Sequence, residues 1–341
     1  MSGPSETQAV QPPAEGTKLE SALDGWLAFM TISAVWAVLR YFRGVSVLGT
    51  DTDPGWDRWH WWLPEIMLGL GLIGVIVLAI QMEAGFRRIM SLANPTAFMQ
   101  LSGKLLPKLA IVTAVLFAAG LLMSFRAPPD ETQGHAARIM FIHVPAAWLS
   151  MACYTLIAIS SAGYLIWRHP LADVSAKAAA PIGAAFTLLA LFTGSLWGKP
   201  TWGAYWVWDA RLTSVLVLFF LYLGLMALRQ AVDDPGRAGR AAAILALIGA
   251  VNIPIIKFSV NWWNTLHQPA SVIRAGGSTI HPSLLAPLFV MAIAFTLLFI
   301  ALHLKAMRGE ILRRRCEAMI AIHVRTGGAQ PEPEGAATSH V

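Results

Sequence analysis

SLLAPLFVMAIAFTLLFIALHL, residues 283–304, decides the fold class, because it runs without a single Asp, Glu, Lys or Arg. A helix rises about 1.5 Å per residue, so a run of this length spans the roughly 30 Å of hydrocarbon in a bilayer. Comparable apolar runs predict further helices at 25–39, 63–82, 105–125, 142–167, 179–198, 211–228 and 241–260. Eight runs of this kind predict an all-α, polytopic membrane helix bundle. Composition agrees: 56% of the 341 residues are hydrophobic and 13% charged, where a water-soluble domain carries about 25% charge. A disordered chain, a collagen and a disulfide scaffold are excluded, the last because Cys153 and Cys316 are the only cysteines and both fall on or beside apolar helices. CxxCH is absent, so no self-attached c-type heme is expected.

The polar ends and the loop charges organise the rest. Residues 1–23, with Pro4, Pro12 and Pro13 among several Glu, read as a disordered N-terminus and lack the basic start of a signal peptide. Residues 24–89 read as a two-helix membrane extension of unknown role, 90–310 as a six-helix core, and 311–341 as a basic, then disordered, tail. With both termini cytoplasmic, 16 of the 25 basic residues fall on the cytoplasmic side, which is the orientation that loop charge favours. The net charge of +6 then belongs to loops facing anionic lipid and not to a nucleic-acid surface. The outer loops are 43–62, 126–141, 198–210 and 261–282.

Tryptophan marks those outer loops. Trp26, Trp36, Trp148 and Trp167 fit an aromatic belt at headgroup level, and so does the run Trp56, Trp59, Trp61 and Trp62 beside His60. WGKPTWGAYWVWDAR, 197–211, fits a belt less well, since it packs Trp202, Trp206 and Trp208 between Gly198, Gly203 and Asp209. Several apolar faces on a tight backbone suit a flat aromatic ligand. Histidine supplies a second element. His143 opens a helix just before Pro145, and His267 follows Trp262 and Trp263 in the next outer loop. Either alone reads as an interfacial residue, but two at one depth beside a tryptophan-rich loop read as a ligand pair. Neutral imidazoles on opposite faces of a porphyrin would complete an iron coordination sphere without any cysteine. His135 competes from a polar loop, while His169, His281, His303, His323 and His340 form no comparable constellation. For the two carboxylates of such a ligand, Arg138, Lys199, Arg211 and Arg274 are candidate partners, each with an alternative role in ending a helix. Arg211 can equally pair with the neighbouring Asp209.

FIHVPAAW (141–148), PIGAAFTLLALFTGSLWGKPTWGAYWVWDARLTS (181–214) and DDPGRAGRAAAILALIGAVNIPIIKFSVNWWNTLHQ (233–268), with the six-helix layout around them, resemble the WWD-domain heme-handling proteins of the cytochrome c maturation system. Within that group they resemble the heme exporter protein C family. The resemblance covers about residues 90–310 and implies a heme-handling core with a periplasmic WWD loop over 197–211. It implies that His143 and His267 are axial ligands of a heme b at the periplasmic face of a bacterial inner membrane. It further implies that Trp202, Trp206, Trp208 and Asp209 lie against the macrocycle, with Arg138 and Arg211 as further heme contacts. The implied function is delivery of heme for c-type cytochrome biogenesis. The implied partners are a periplasmic heme chaperone of the E type, a small D-type membrane subunit, and A- and B-type ABC ATPase and permease chains. Residues 1–89 depart from the family pattern.

An independent catalytic activity is not expected, beyond possible help in attaching heme to the chaperone. The nearest approach to a phosphate loop, Gly194 to Lys199, has three intervening residues where four are needed and then Pro200. The alternative reading is a bis-His b-type electron-transfer protein, although such proteins usually bury both histidines within spans and His267 is in a polar loop. A permease would show ionisable residues or broken helices near the midplane, and only Pro254 with Lys257 comes close.

Overall fold

The computed structural model describes residues 94–263, 265–267, 271–272 and 278–325. The expected helices at 25–39 and 63–82, the polar start, His60, Arg274 and the tail beyond 325 lie outside the described residues. Among the described residues the elements are α1 (Pro95–Arg126), a 3-10 turn (His135–Ile139), α2 (Met140–Trp167), α3 (Pro170–Trp202), α4 (Ala210–Ala231), α5 (Pro235–Gly249), α6 (Asn252–Trp262) and α7 (Pro282–Arg325). No strand occurs among them. Six membrane-length apolar helical segments result, α5 and α6 together making one. The protein is an all-helical, multi-pass membrane protein.

Each helix outruns its apolar window. Asn94, Asp209 and Asp234 cap α1, α4 and α5 with side-chain oxygens that accept the amides of Thr96, Leu212 and Arg237, so these helices start at polar residues that hydropathy alone leaves out. Proline in the first turn of α1, α3 and α5 adds a preset φ where no amide partner is needed. The α7 helix has 44 residues and runs well past the apolar run of 283–304. The span expected at 241–260 is broken at Ala250–Val251, four residues before Pro254. That proline has no N–H to give the Ala250 carbonyl, and its ring crowds it. The Ile253 amide takes that carbonyl at 3.0 Å instead, and the chain resumes as α6.

Packing depends on close approach more than on large side chains, as expected where lipid is as apolar as the core. α2 and α3 form an antiparallel hairpin turned at Arg168, whose φ is 53°, while α1 lies against α7 and α4 against α3, α5 and α6. Tyr154 and Tyr222 are fully buried and meet edge to face, with centroids 5.2 Å apart. The Tyr222 hydroxyl donates to the Ser150 carbonyl at 2.6 Å, which seats its ring in the space above Gly183 that a Cβ would occupy. Outward side chains such as Ile111, Phe125, Ile159, Phe192 and Phe220 are mostly exposed, a surface suited to hydrocarbon. At the end of the bundle where α3 begins, Asp173 pairs with Arg229 at 2.8 Å and Arg314 at 2.5 Å, and Glu310 with Lys177 at 3.0 Å and Arg314 at 2.7 Å. These pairs bind α3, α4 and α7 together at that end.

Gly183→Val is expected to destabilise the fold by about 1–3 kcal/mol through overpacking against the hydrogen-bonded Tyr222 ring. The check is the thermal unfolding midpoint in detergent, which should fall; an unchanged midpoint would mean that the ring is not held there.

Candidate functional site

The candidate residues gather at the opposite end of the bundle, where α3 finishes and α4 begins. The stretch 197–211 was expected as a loop, but Trp197 to Trp202 are the last turns of α3. The helix stops where Gly203, at φ 80°, turns left-handed and gives its amide to the Lys199 carbonyl at 3.0 Å, the usual glycine stop. The irregular chain is therefore short, from Gly203 to Asp209. Lys199 donates to the Gly203 carbonyl at 3.0 Å and lies over the Tyr205 ring, so its role is to finish the helix.

His143 stands in the first turn of α2 and faces α3. Its Nδ1 is 3.1 Å from the Thr193 hydroxyl, its ring meets Trp197 edge to face at 5.6 Å, and its Cε1 lies 2.8 Å from where a Cβ on Gly194 would stand. Thr193, Gly194 and Trp197 share one face of α3 at spacings of one, three and four. Trp197 is fixed in turn: its indole N–H donates to Gln133 Oε1 at 2.8 Å. Gln133 sits in a turn organised by Asp130, whose carboxyl is held below its usual pKa by the Thr132 hydroxyl and neighbouring amides.

His267 reaches the same end from the segment between α6 and α7. Its Nδ1 is 3.0 Å from Asp209 Oδ2, and its ring meets Trp202 at 4.8 Å. Asp209 is buried, and its other oxygen accepts the Leu212 amide at 2.7 Å. Burial pulls the His267 imidazole below its ordinary pKa, with Asp209 pulling the other way. The two imidazoles lie within electrostatic reach of each other. Each has Nδ1 engaged, and neither Nε2 has a hydrogen bond among the described residues. That is the arrangement of a histidine prepared to ligate through Nε2, its other nitrogen oriented by a second partner.

The remaining candidates divide. Trp206 and Trp208 meet edge to face at 5.4 Å. Trp208 is 75% exposed, while the Trp206 indole N–H is buried without an acceptor among the described residues. Arg138 donates through Nη2 to the Ala127 carbonyl at 2.6 Å, beyond the end of α1, and its Nε is buried without a partner among the described residues. Arg211 does not spend itself on Asp209; its hydrogen bonds go to Ser259 at 3.3 Å and the Lys257 carbonyl at 3.5 Å. His135 is exposed on the 3-10 turn, away from both imidazoles' hydrogen bonds. Phe258, Trp262 and Trp263 form an outward aromatic ladder, as an interfacial belt would. Sequence reasoning missed Thr193, Gly194 and Gln133. The first two were visible as the break Thr-Gly-Ser in an otherwise apolar run; Gln133 carried no signal.

A family model described as heme exporter protein C matches residues 88–322. The chain is 67% identical over 231 residues to the heme exporter protein C of Bradyrhizobium diazoefficiens, covering 68% of this chain and 88% of that one. It is 47% identical over 228 residues to the protein of that name from Escherichia coli strain K12, covering 67% and 92%, and 44% identical over 230 residues to that of Paracoccus denitrificans, covering 67% and 95%. The family match spans both histidines and all but the last three residues of the six described membrane segments, and the relatives agree in name, so the chain belongs to the heme exporter protein C family.

Proposed function

We propose that this chain receives heme b between His143 and His267 at the periplasmic face of a bacterial inner membrane and delivers it to a periplasmic heme chaperone for c-type cytochrome biogenesis. The observation that carries this reading is the convergence of two neutral-capable imidazoles, one from α2 and one from the segment between α6 and α7, each with Nδ1 engaged and with no hydrogen bond at Nε2 among the described residues. Heme is the cargo here. Two buried N–H donors without acceptors among the described residues, Arg138 Nε and Trp206 Nε1, fit a ligand that brings acceptor groups of its own. Arg138 and Arg211 are the residues that would hold the propionates, and Trp202, Trp206 and Trp208 offer the apolar faces.

Each group has a part in holding and releasing the cargo. Iron supplies two axial positions, and Nε2 of His143 and of His267 would fill them. Asp209 keeps the His267 proton on Nδ1 and strengthens its Nε2 as a donor. Trp208, on the Gly203–Asp209 segment, is exposed and offers a face that an acceptor protein can approach. Both termini are read as cytoplasmic. ATP hydrolysis falls to a separate A-type chain with a B-type permease, since the phosphate-loop spacing is wrong, and a D-type small subunit completes the assembly. A b-type electron-transfer protein would hold its heme within the spans, whereas His267 lies on the segment between α6 and α7.

The test is whether the purified chain co-isolates with heme and passes it to a chaperone. His143→Ala and His267→Ala are each expected to lower bound heme and to replace a low-spin, two-imidazole absorption spectrum by a high-spin one, with partial recovery in free imidazole. An unaltered low-spin spectrum in both variants would remove these two as ligands.

Residues 1–89 are proposed to be dispensable for heme. A chain starting at Met90 retains the whole site and the loop-charge bias, and is expected to insert and to bind heme at the full-length stoichiometry. Loss of heme from a correctly inserted, abundant short chain would assign the extension to the site.

A further inference from the structure

We propose that Thr193 is the positioning residue of His143: it fixes the imidazole proton on Nδ1 and so exposes Nε2 as the metal donor, with Gly194 providing the clearance for the ring. The inference rests on the heme-ligand reading above for its functional consequence, but its structural part stands alone.

The argument is one of hydrogen counting. Thr193 Oγ1 has two polar neighbours besides its weak contact at 3.4 Å to the Ala190 carbonyl: the Leu189 carbonyl at 2.7 Å and His143 Nδ1 at 3.1 Å. A hydroxyl has one hydrogen, and a carbonyl can only accept. The shorter contact is a hydrogen bond only if the hydroxyl donates to Leu189, which turns its lone pairs toward the imidazole. His143 Nδ1 must then be the donor, its single ring proton lies there, and Nε2 is left with a lone pair. The free histidine side chain favours the opposite tautomer, with its proton on Nε2 and its lone pair on the nitrogen nearer the backbone.

The surroundings hold the ring against Thr193. It is buried, on the face of α3 that also holds Gly194 and Trp197. Besides Thr193, the Ala190 carbonyl, about one turn earlier on α3, also reaches the His143 ring; a carbonyl can only accept, so it adds to the case for a ring proton on the side that faces α3. Trp197, held by Gln133, meets the ring at its edge and offers no acceptor there. At the next position along α3 a Cβ would stand 2.8 Å from His143 Cε1 and 3.4 Å from Nδ1, and it would push the ring off the hydroxyl. A neutral hydroxyl thus does for His143 what the Asp209 carboxylate does for His267.

The test uses the full-length chain, labelled with 15N-histidine, free of heme, in detergent or bilayers. Nitrogen chemical shifts distinguish a protonated from an unprotonated ring nitrogen, and the His143 signals are identified by their loss in His143→Ala. The unmodified chain is expected to hold His143 as the Nδ1–H tautomer. Thr193→Val, which keeps the shape and removes the acceptor, is expected to move the population toward Nε2–H and to weaken heme binding about 10–100-fold, the usual effect of losing a partner behind a ligand. Thr193→Ser should restore both. If Thr193→Val fails to fold, Thr193→Ala carries the same expectation, with the thermal midpoint as the control for stability. An Nδ1–H tautomer undiminished in Thr193→Val or Thr193→Ala would overturn the inference, as would heme affinity unchanged in a variant whose tautomer has shifted. If instead His143→Ala retains heme with an unaltered spectrum, the ligand reading fails, while the nitrogen shifts still decide the tautomer.

Discussion

Asp209 divides one carboxylate between two tasks. Oδ1 accepts the Leu212 amide and starts α4, while Oδ2 accepts from His267 Nδ1. A helix start in a membrane protein leaves amides that hydrocarbon cannot satisfy, so the cap is needed at that depth whatever else the residue does. Using the same buried group to hold an imidazole ties the position of His267 to the position of α4. The segment between α6 and α7 is thereby brought against Trp202 at the end of α3.

His143 is held quite differently. It sits within a helix whose opening turns pack against α3, and its partner Thr193 belongs to the same α2–α3 hairpin, whose fully buried Tyr154 meets Tyr222 of α4 in the core. One imidazole therefore comes from the most extensively packed pair of helices and the other from a connecting segment held by a carboxylate. The ion pairs of Asp173 and Glu310 bind the far ends of α3, α4 and α7.

Hydropathy made the number and order of the described spans legible, because long uncharged runs have few other uses. Their ends were not legible from apolarity, since Asn94, Asp209 and Asp234 are polar residues doing helical work. Pro254 was noticed, but the break falls at Ala250–Val251, where the carbonyl deprived of its partner lies. The site was legible as residue types: two histidines and a dense run of tryptophan with one aspartate. Its internal division was not. Lys199 could serve a ligand or a helix, and only the distances place it at the end of α3; Arg211 bonds across to Ser259 of α6, a contact that the sequence does not reveal. Thr193 was hidden because a threonine bonded to its own helix is ordinary within a span.

The central claim is that two protein imidazoles, from α2 and from the segment before α7, meet at one iron through Nε2. Pulsed electron paramagnetic resonance on the ferric heme-loaded chain, prepared with 14N- and then 15N-labelled histidine, reads the axial nitrogens directly. The account predicts two histidine nitrogens coupled to the iron, both changing with the label, and one fewer in each single histidine variant. A loaded protein showing one label-sensitive axial nitrogen, or none, would contradict it.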